Sequence, residues 1–149
     1  MKQLIRKILQ EAKQKAEYSP GGKPVKVGRY VYHASNPYYR KKIQKQGLKP
    51  TVSDSYESHA MSWYEEDGAI SKKHLPPAIF ATNSENKKDW FDSPYDDDIY
   101  RIDTQGLPNE WFTDRHFDWD KKNKHVVTFQ PIPLSHITLI YQGTGNPKD

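Results

Sequence analysis

The 149-residue sequence contains no cysteine. That absence excludes a disulfide framework, a thiolate metal site and a cysteine nucleophile together. Long apolar runs are missing too. Hydrophobic stretches extend only a few positions, well short of the roughly 20 residues that a membrane-spanning helix needs. Hydrophobic residues make up 34% of the chain and the mean hydropathy is −1.01. Values this low suit a disordered chain as well as a folded one, and the aromatics decide between them. Four Trp, ten Tyr and five Phe are more than unfolded chains carry, so one folded domain is expected.

Acidic residues are scarce in one half of the chain. Residues 1–49 hold thirteen Lys and Arg against two acids, Glu11 and Glu17, a balance of +11; residues 50–149 hold ten against seventeen, a balance of −7. A basic front half points to an anionic partner, either a nucleic acid, an acidic protein or a phosphorylated small molecule. Solvated helix faces give the same pattern. Several catalytic signatures are absent as well: no phosphate-binding loop, no Gly-x-Ser-x-Gly and no GxGxxG, which disfavours nucleoside triphosphate hydrolysis and dinucleotide binding of the doubly wound type.

Among the residues present, 2–17 read as a basic helix. Leu4, Ile5, Ile8, Leu9 and Ala12 form one apolar stripe. The segment lacks the long apolar region and cleavage site of a secretory signal. Ser19-Pro20-Gly21-Gly22-Lys23-Pro24 is a breaker cluster, expected to act as a flexible joint. The division is therefore residues 1–24 as helix and linker, and 25–149 as the compact domain.

Within that domain, 25–33 is β-branched and aromatic, as a strand requires. Asn36 then caps a helix with Pro37 in its first turn, ending at Gly47. Residues 51–73 read as a long polar loop with a short helix at 59–64, and 77–82 as a short buried strand. A helix is expected at 84–91 and a half-buried strand at 98–103. Two more strands follow at 125–129 and 137–141, with Pro131 and Pro133 between them. Several short strands with few helices make the fold α+β.

Six histidines occur, at 33, 59, 74, 116, 125 and 136, and none forms a His-x-x-x-His or His-Glu-x-x-His pair. Asp114, His116, Asp118 and Asp120 alternate in a way that suits either ligands on one strand face or, preferably, a solvated loop. Asp96-Asp97-Asp98 reads as a solvated turn. No metal site is expected. His33 stands apart because it ends a strand, is followed by the small residues Ala34 and Ser35, and precedes a helix start. That context aims a histidine into a cleft whose backbone a ligand can approach closely. Capping of the following helix would account for the same residue.

Taken in order, these segments resemble ADP-ribosyltransferase-type domains, the group that includes poly-ADP-ribose polymerases, diphtheria-type toxins and RNA 2′-phosphotransferases. Tyr32-His33-Ala34-Ser35 followed by Ile43 and Gly47-Leu48-Lys49-Pro50 looks like their opening strand, helix and Gly-Leu turn. Ala78-Ile79-Phe80-Ala81-Thr82 with a helix ending in Asp89-Trp90-Phe91 is similar to their second strand and nicotinamide-stacking helix. The run from Val126 through Pro131-Ile132-Pro133 to Ile137 is similar to their late strand and Ile-Pro step. The resemblance spans about residues 28–141 and implies a split antiparallel sheet.

The resemblance further implies NAD⁺ as substrate and ADP-ribosyl transfer to a protein or nucleic acid. His33 would meet a ribose hydroxyl, with the Ala34 main chain and Ser35 beside the nicotinamide carboxamide. Trp90, with Phe80 or Tyr39 near, would stack on the nicotinamide ring. Arg29 and Arg40-Lys41-Lys42 would meet the pyrophosphate or an anionic acceptor. Most relatives place a Glu on the late strand to stabilise an oxocarbenium-like transition state. The matching stretch 123–127 has no carboxylate, leaving Gln130 or His125 in that place and Glu110 or Asp114 to enter from upstream. The RNA 2′-phosphotransferase branch relies on Arg and His instead, which Arg29 and His33 would supply from one strand face. A catalytically inactive binding module, structural or inhibitory, is the third alternative.

Lys2 and the apolar positions leading to Leu9-Gln10-Glu11-Ala12 are similar to capsid-targeting peptides of internal head proteins in large tailed phages. That implies a phage source and a location in the host cytoplasm or the virion interior. A generic amphipathic helix fits the same letters.

Overall fold

The computed structural model describes residues 2–6, 9, 18–63, 72–90, 93–115 and 124–148. Residues 2–6 are helical, and Leu4, Ile5 and Leu9 on the apolar stripe are exposed. The main elements are β1 (Gly21–Pro24), β2 (Tyr30–Ser35), α1 (Arg40–Gln46), α2 (Asp54–Trp63), β3 (Ile79–Thr82), α3 (Lys87–Trp90), β4 (Asp98–Asp103), β5 (Phe112–Asp114), β6 (His125–Thr128) and β7 (Ile137–Tyr141). The strands form one open antiparallel sheet in the order β1-β5-β6-β3-β2-β4-β7. The protein is thus α+β, with seven strands and short helices, and no described helix is long and apolar enough to cross a membrane.

The expected flexible joint is a strand. Gly21–Pro24 pairs with β5 through Gly21↔Asp114 and Pro24↔Phe112. Its position at the sheet edge tolerates a proline, whose missing donor faces away from the ladder. A Cβ on Gly22 would overlap the Thr113 hydroxyl, and that hydroxyl accepts from the Lys23 amide at 3.0 Å. Pro20 is fully buried and Tyr18 packs on the core. The compact unit therefore starts near residue 18, and the strand expected at 25–33 begins only at Tyr30.

Strand alternation divides the side chains between two faces. On one face Val31, Ile102, Tyr100, Ile79, Ala81 and Val126 form a core closed by Ile43 of α1, Leu48 and Ile132. On the other, Val127, Ala78 and Leu75 pack with Tyr56 and Ala60, which lie one turn apart on α2. β4 alternates buried Tyr100 and Ile102 with partly exposed Arg101 and Asp103, as a half-buried strand does, and at its start Asp98 and Ile99 are both buried.

The turn after α1 joins distant pieces of sequence. Gly47 has φ 77° and ψ −167°, a region open essentially to glycine alone. A Cβ there would overlap the Ile132 carbonyl oxygen. This close approach lets Leu48 and Ile132 exchange backbone hydrogen bonds of 3.0 and 2.8 Å. At the helix start, the Asn36 side chain accepts from the Tyr38 amide at 2.9 Å, so the cap read from the sequence is present.

Candidate functional site

β2 joins its two neighbours very differently. With β4 it pairs at six consecutive positions, from Tyr30↔Asp103 to Ser35↔Asp98. With β3 it pairs at one, Tyr32↔Thr82. Just beyond that point the His33 side chain takes over, its Nδ1 lying 2.6 Å from the Phe80 carbonyl oxygen. A carbonyl only accepts, so Nδ1 carries the proton and donates. In the neutral ring Nε2 then keeps its lone pair. Burial holds the His33 pKa below its usual value, outweighing the Phe80 hydrogen bond and the charge of Asp97. A half-buried, neutral imidazole with a fixed tautomer is thus placed at the loosest junction of the sheet. Among the described residues Nε2 has no hydrogen-bond partner.

The far end of the β2–β4 seam is closed by an ion pair. Asp98, fully buried, accepts from Arg40 Nε at 2.8 Å and Nη2 at 2.6 Å, and from the Gly143 amide at 2.9 Å. Arg40 Nη2 also donates to the Gly143 carbonyl at 3.1 Å. Asp98 is therefore the buried start of a strand and not part of a solvated turn. Asp96 is likewise engaged, accepting from the Tyr141 hydroxyl and from the amide and hydroxyl of Thr144. Arg40, one of the cations assigned to a phosphate, is held as a structural partner.

The predicted aromatics are placed less simply. Trp90 stacks on Tyr32 with ring centroids 3.9 Å apart, and its Nε1 donates to the Ser84 carbonyl at 2.7 Å. Tyr32 neighbours His33 in the strand, so this stack lies on the opposite face of the sheet. The Phe80 ring packs edge-on to Tyr56 at 4.9 Å, and Phe80 reaches His33 through its carbonyl instead. Tyr39 is half-exposed and lies edge-on to Tyr38. Ala34 pairs with Ile99 and Ser35 with Asp98, so both belong to the β2–β4 ladder.

Arg29 does not share a face with His33. The expected alternation needs a strand running through Arg29, and β2 starts one residue later. The guanidinium instead meets Asp103 at 3.3 and 3.4 Å and covers the Tyr30 ring, on the Tyr32 side of the sheet. Arg101 approaches the same ring at 4.7 Å, a cation the sequence did not single out.

Gln130 and His125 are also separated. Thr128 lies on the His33 face and donates to Gln130 Oε1 at 3.0 Å, and the Glu110 amide reaches the same atom at 3.2 Å. His125 pairs with Thr82 on the other face. Strand spacing puts Gln130 roughly 16 Å from His33, two strands across and four residues along. A carboxylate does reach the start of β6. Asp89 of α3 contacts Lys124 Nζ at 3.3 Å and accepts from Ser84 Oγ at 2.5 Å, and the Ser84 bond chiefly lowers its pKa.

Asp114 is buried at the end of β5, and His116, Asp118 and Asp120 lie outside the described residues. A cavity of about 390 Å3 lined by Val25, Val27, Thr104, Leu107, Asn109 and Trp111 contains none of the predicted site residues except Glu110 at its edge. Lys26 and Glu110 are the titratable residues of this open trough, and neither a histidine nor an arginine lines it. The chain matches no protein-family model and none of the curated proteins with which it was compared.

Proposed function

We propose that the protein is an ADP-ribosyltransferase-type enzyme that binds NAD⁺ at the seam between β2 and β3. The observation that carries this reading is the His33 imidazole. It is locked by the Phe80 carbonyl and kept neutral by burial, with an unprotonated Nε2 able to accept from a ribose hydroxyl. The opening-strand motif, the capped helix, the Gly47-Leu48 turn and its docking on Ile132 meet at this end of the sheet, which supports the family resemblance. The resemblance implies a split sheet, whereas β2 and β3 here belong to one continuous sheet and are joined by a single register pair.

In the reaction the bond between ribose C1′ and the nicotinamide nitrogen breaks. Nicotinamide leaves neutral with the bonding electrons, and an acceptor oxygen or nitrogen bonds to C1′ as it gives up its proton. His33 would orient the ribose. No carboxylate of 123–127 is available to assist, and Asp97 is the acidic residue whose charge acts on the His33 ring. Nicotinamide release from NAD⁺ in the presence of protein or nucleic-acid acceptors tests the reading. Release that is lost in His33→Ala supports it; a folded wild-type protein that neither binds nor consumes NAD⁺ overturns it.

A further inference from the structure

From Tyr18 to Ser53 the chain carries eight Lys and Arg and no acid. The structure sorts these cations into two kinds. Both arginines are neutralised, Arg29 by Asp103 and Arg40 by Asp98. The lysines are not. Lys41, Lys42, Lys45 and Lys49 are exposed and form no ion pair with any described residue.

Three of these lysines share a surface with aromatics. α1 turns Ile43 into the core, which sends Lys41 and Lys45, one turn apart, to the opposite side with Lys42 on its flank. Tyr38 precedes them in the short 3-10 turn Pro37–Tyr39 that leads into α1. Tyr38 is 86% exposed, and the Tyr39 ring packs edge-on against its ring at 5.2 Å and 88°. The Asn36 cap fixes the backbone beneath the pair.

We infer that this face of α1 binds single-stranded nucleic acid, with Tyr38 stacking on a base and Lys41, Lys42 and Lys45 meeting successive phosphates. Exposed aromatics beside uncompensated lysines are the chemistry of single-strand platforms, in which stacking provides sequence-tolerant affinity and the cations follow the backbone. An acidic protein would match the lysines but would leave the exposed Tyr38 ring without a role. The inference does not rest on NAD⁺ chemistry, because it concerns binding alone.

Anisotropy titration of a fluorescein-labelled oligothymidylate, without NAD⁺ and over a series of salt concentrations, tests it. Tyr38→Ala is expected to weaken binding at least about fivefold while leaving the salt slope unchanged. Lys41→Ala/Lys42→Ala/Lys45→Ala together should reduce the slope of log K against log salt by about 2, at roughly 0.7 per phosphate contact. All four side chains are exposed, and unchanged thermal melting of the variants checks that they remain folded. No binding by the wild type, wild-type affinity and slope in both variants, or equally good competition by polyglutamate would each overturn the inference.

Discussion

The two edges of β2 differ in what holds them together. Against β4 the strand makes a regular six-residue ladder, closed by Asp98 and Arg40. Against β3 the ladder shrinks to one pair, and a histidine side chain bonds a backbone carbonyl. A ladder satisfies its own polar groups and leaves nothing over for a ligand. A seam bridged by a side chain leaves backbone and ring atoms able to change partners. The first edge is scaffold, and the second is where chemistry can occur, a division that mutations can break or sharpen.

The largest effect is expected on the scaffold side. Asp98→Ala removes a buried carboxylate and leaves the Gly143 amide and the Arg40 guanidinium without their acceptor, which should cost about 3 kcal/mol. Urea denaturation would read this as a lowered midpoint. Gly47→Ala comes next. It forces a side chain into a glycine-only backbone region and against the Ile132 carbonyl, for about 2 kcal/mol by the same measurement.

On the seam side stability should change little and function much. His33→Ala removes one hydrogen bond, about 1 kcal/mol, so the variant stays folded while nicotinamide release is lost. If instead it unfolded as readily as Asp98→Ala, the distinction between the two edges would fail. The smallest effect is in pH dependence. The folded pKa of His33 lies below the ordinary 6.5, so at pH values between the two the unfolded chain binds more protons. Stability is full above about pH 6.5 and declines as pH falls below it. The fall in Tm between about pH 7.5 and about pH 5.5 should therefore be larger in the wild type than in His33→Gln.

What could be read from the sequence follows from how local each feature is. β4, β6 and β7 were legible from β-branched and aromatic residues bounded by turn formers, and the capped turn leading into α1 from Asn36-Pro37. β1 and β5 were not. They have four and three residues, and β1 consists of glycine, lysine and proline, which become a strand only because Thr113 lies alongside. Asp98 looked like part of a solvated acidic turn because its partner is 58 residues away. His33 was identified from its neighbours, but its bond to Phe80, the stacking of Trp90 on Tyr32 and the loss of Arg29 to Asp103 depend on register between strands. The local pattern of a single strand does not contain that information.

Calorimetric titration of NAD⁺ into the wild type and into folded His33→Ala tests the central claim most directly. The His33 seam predicts saturable binding to the wild type and affinity at least about tenfold weaker in the variant, the loss of roughly one hydrogen bond to a buried polar group. Equal affinity in the two proteins, or no heat of binding to a folded wild type, would contradict it.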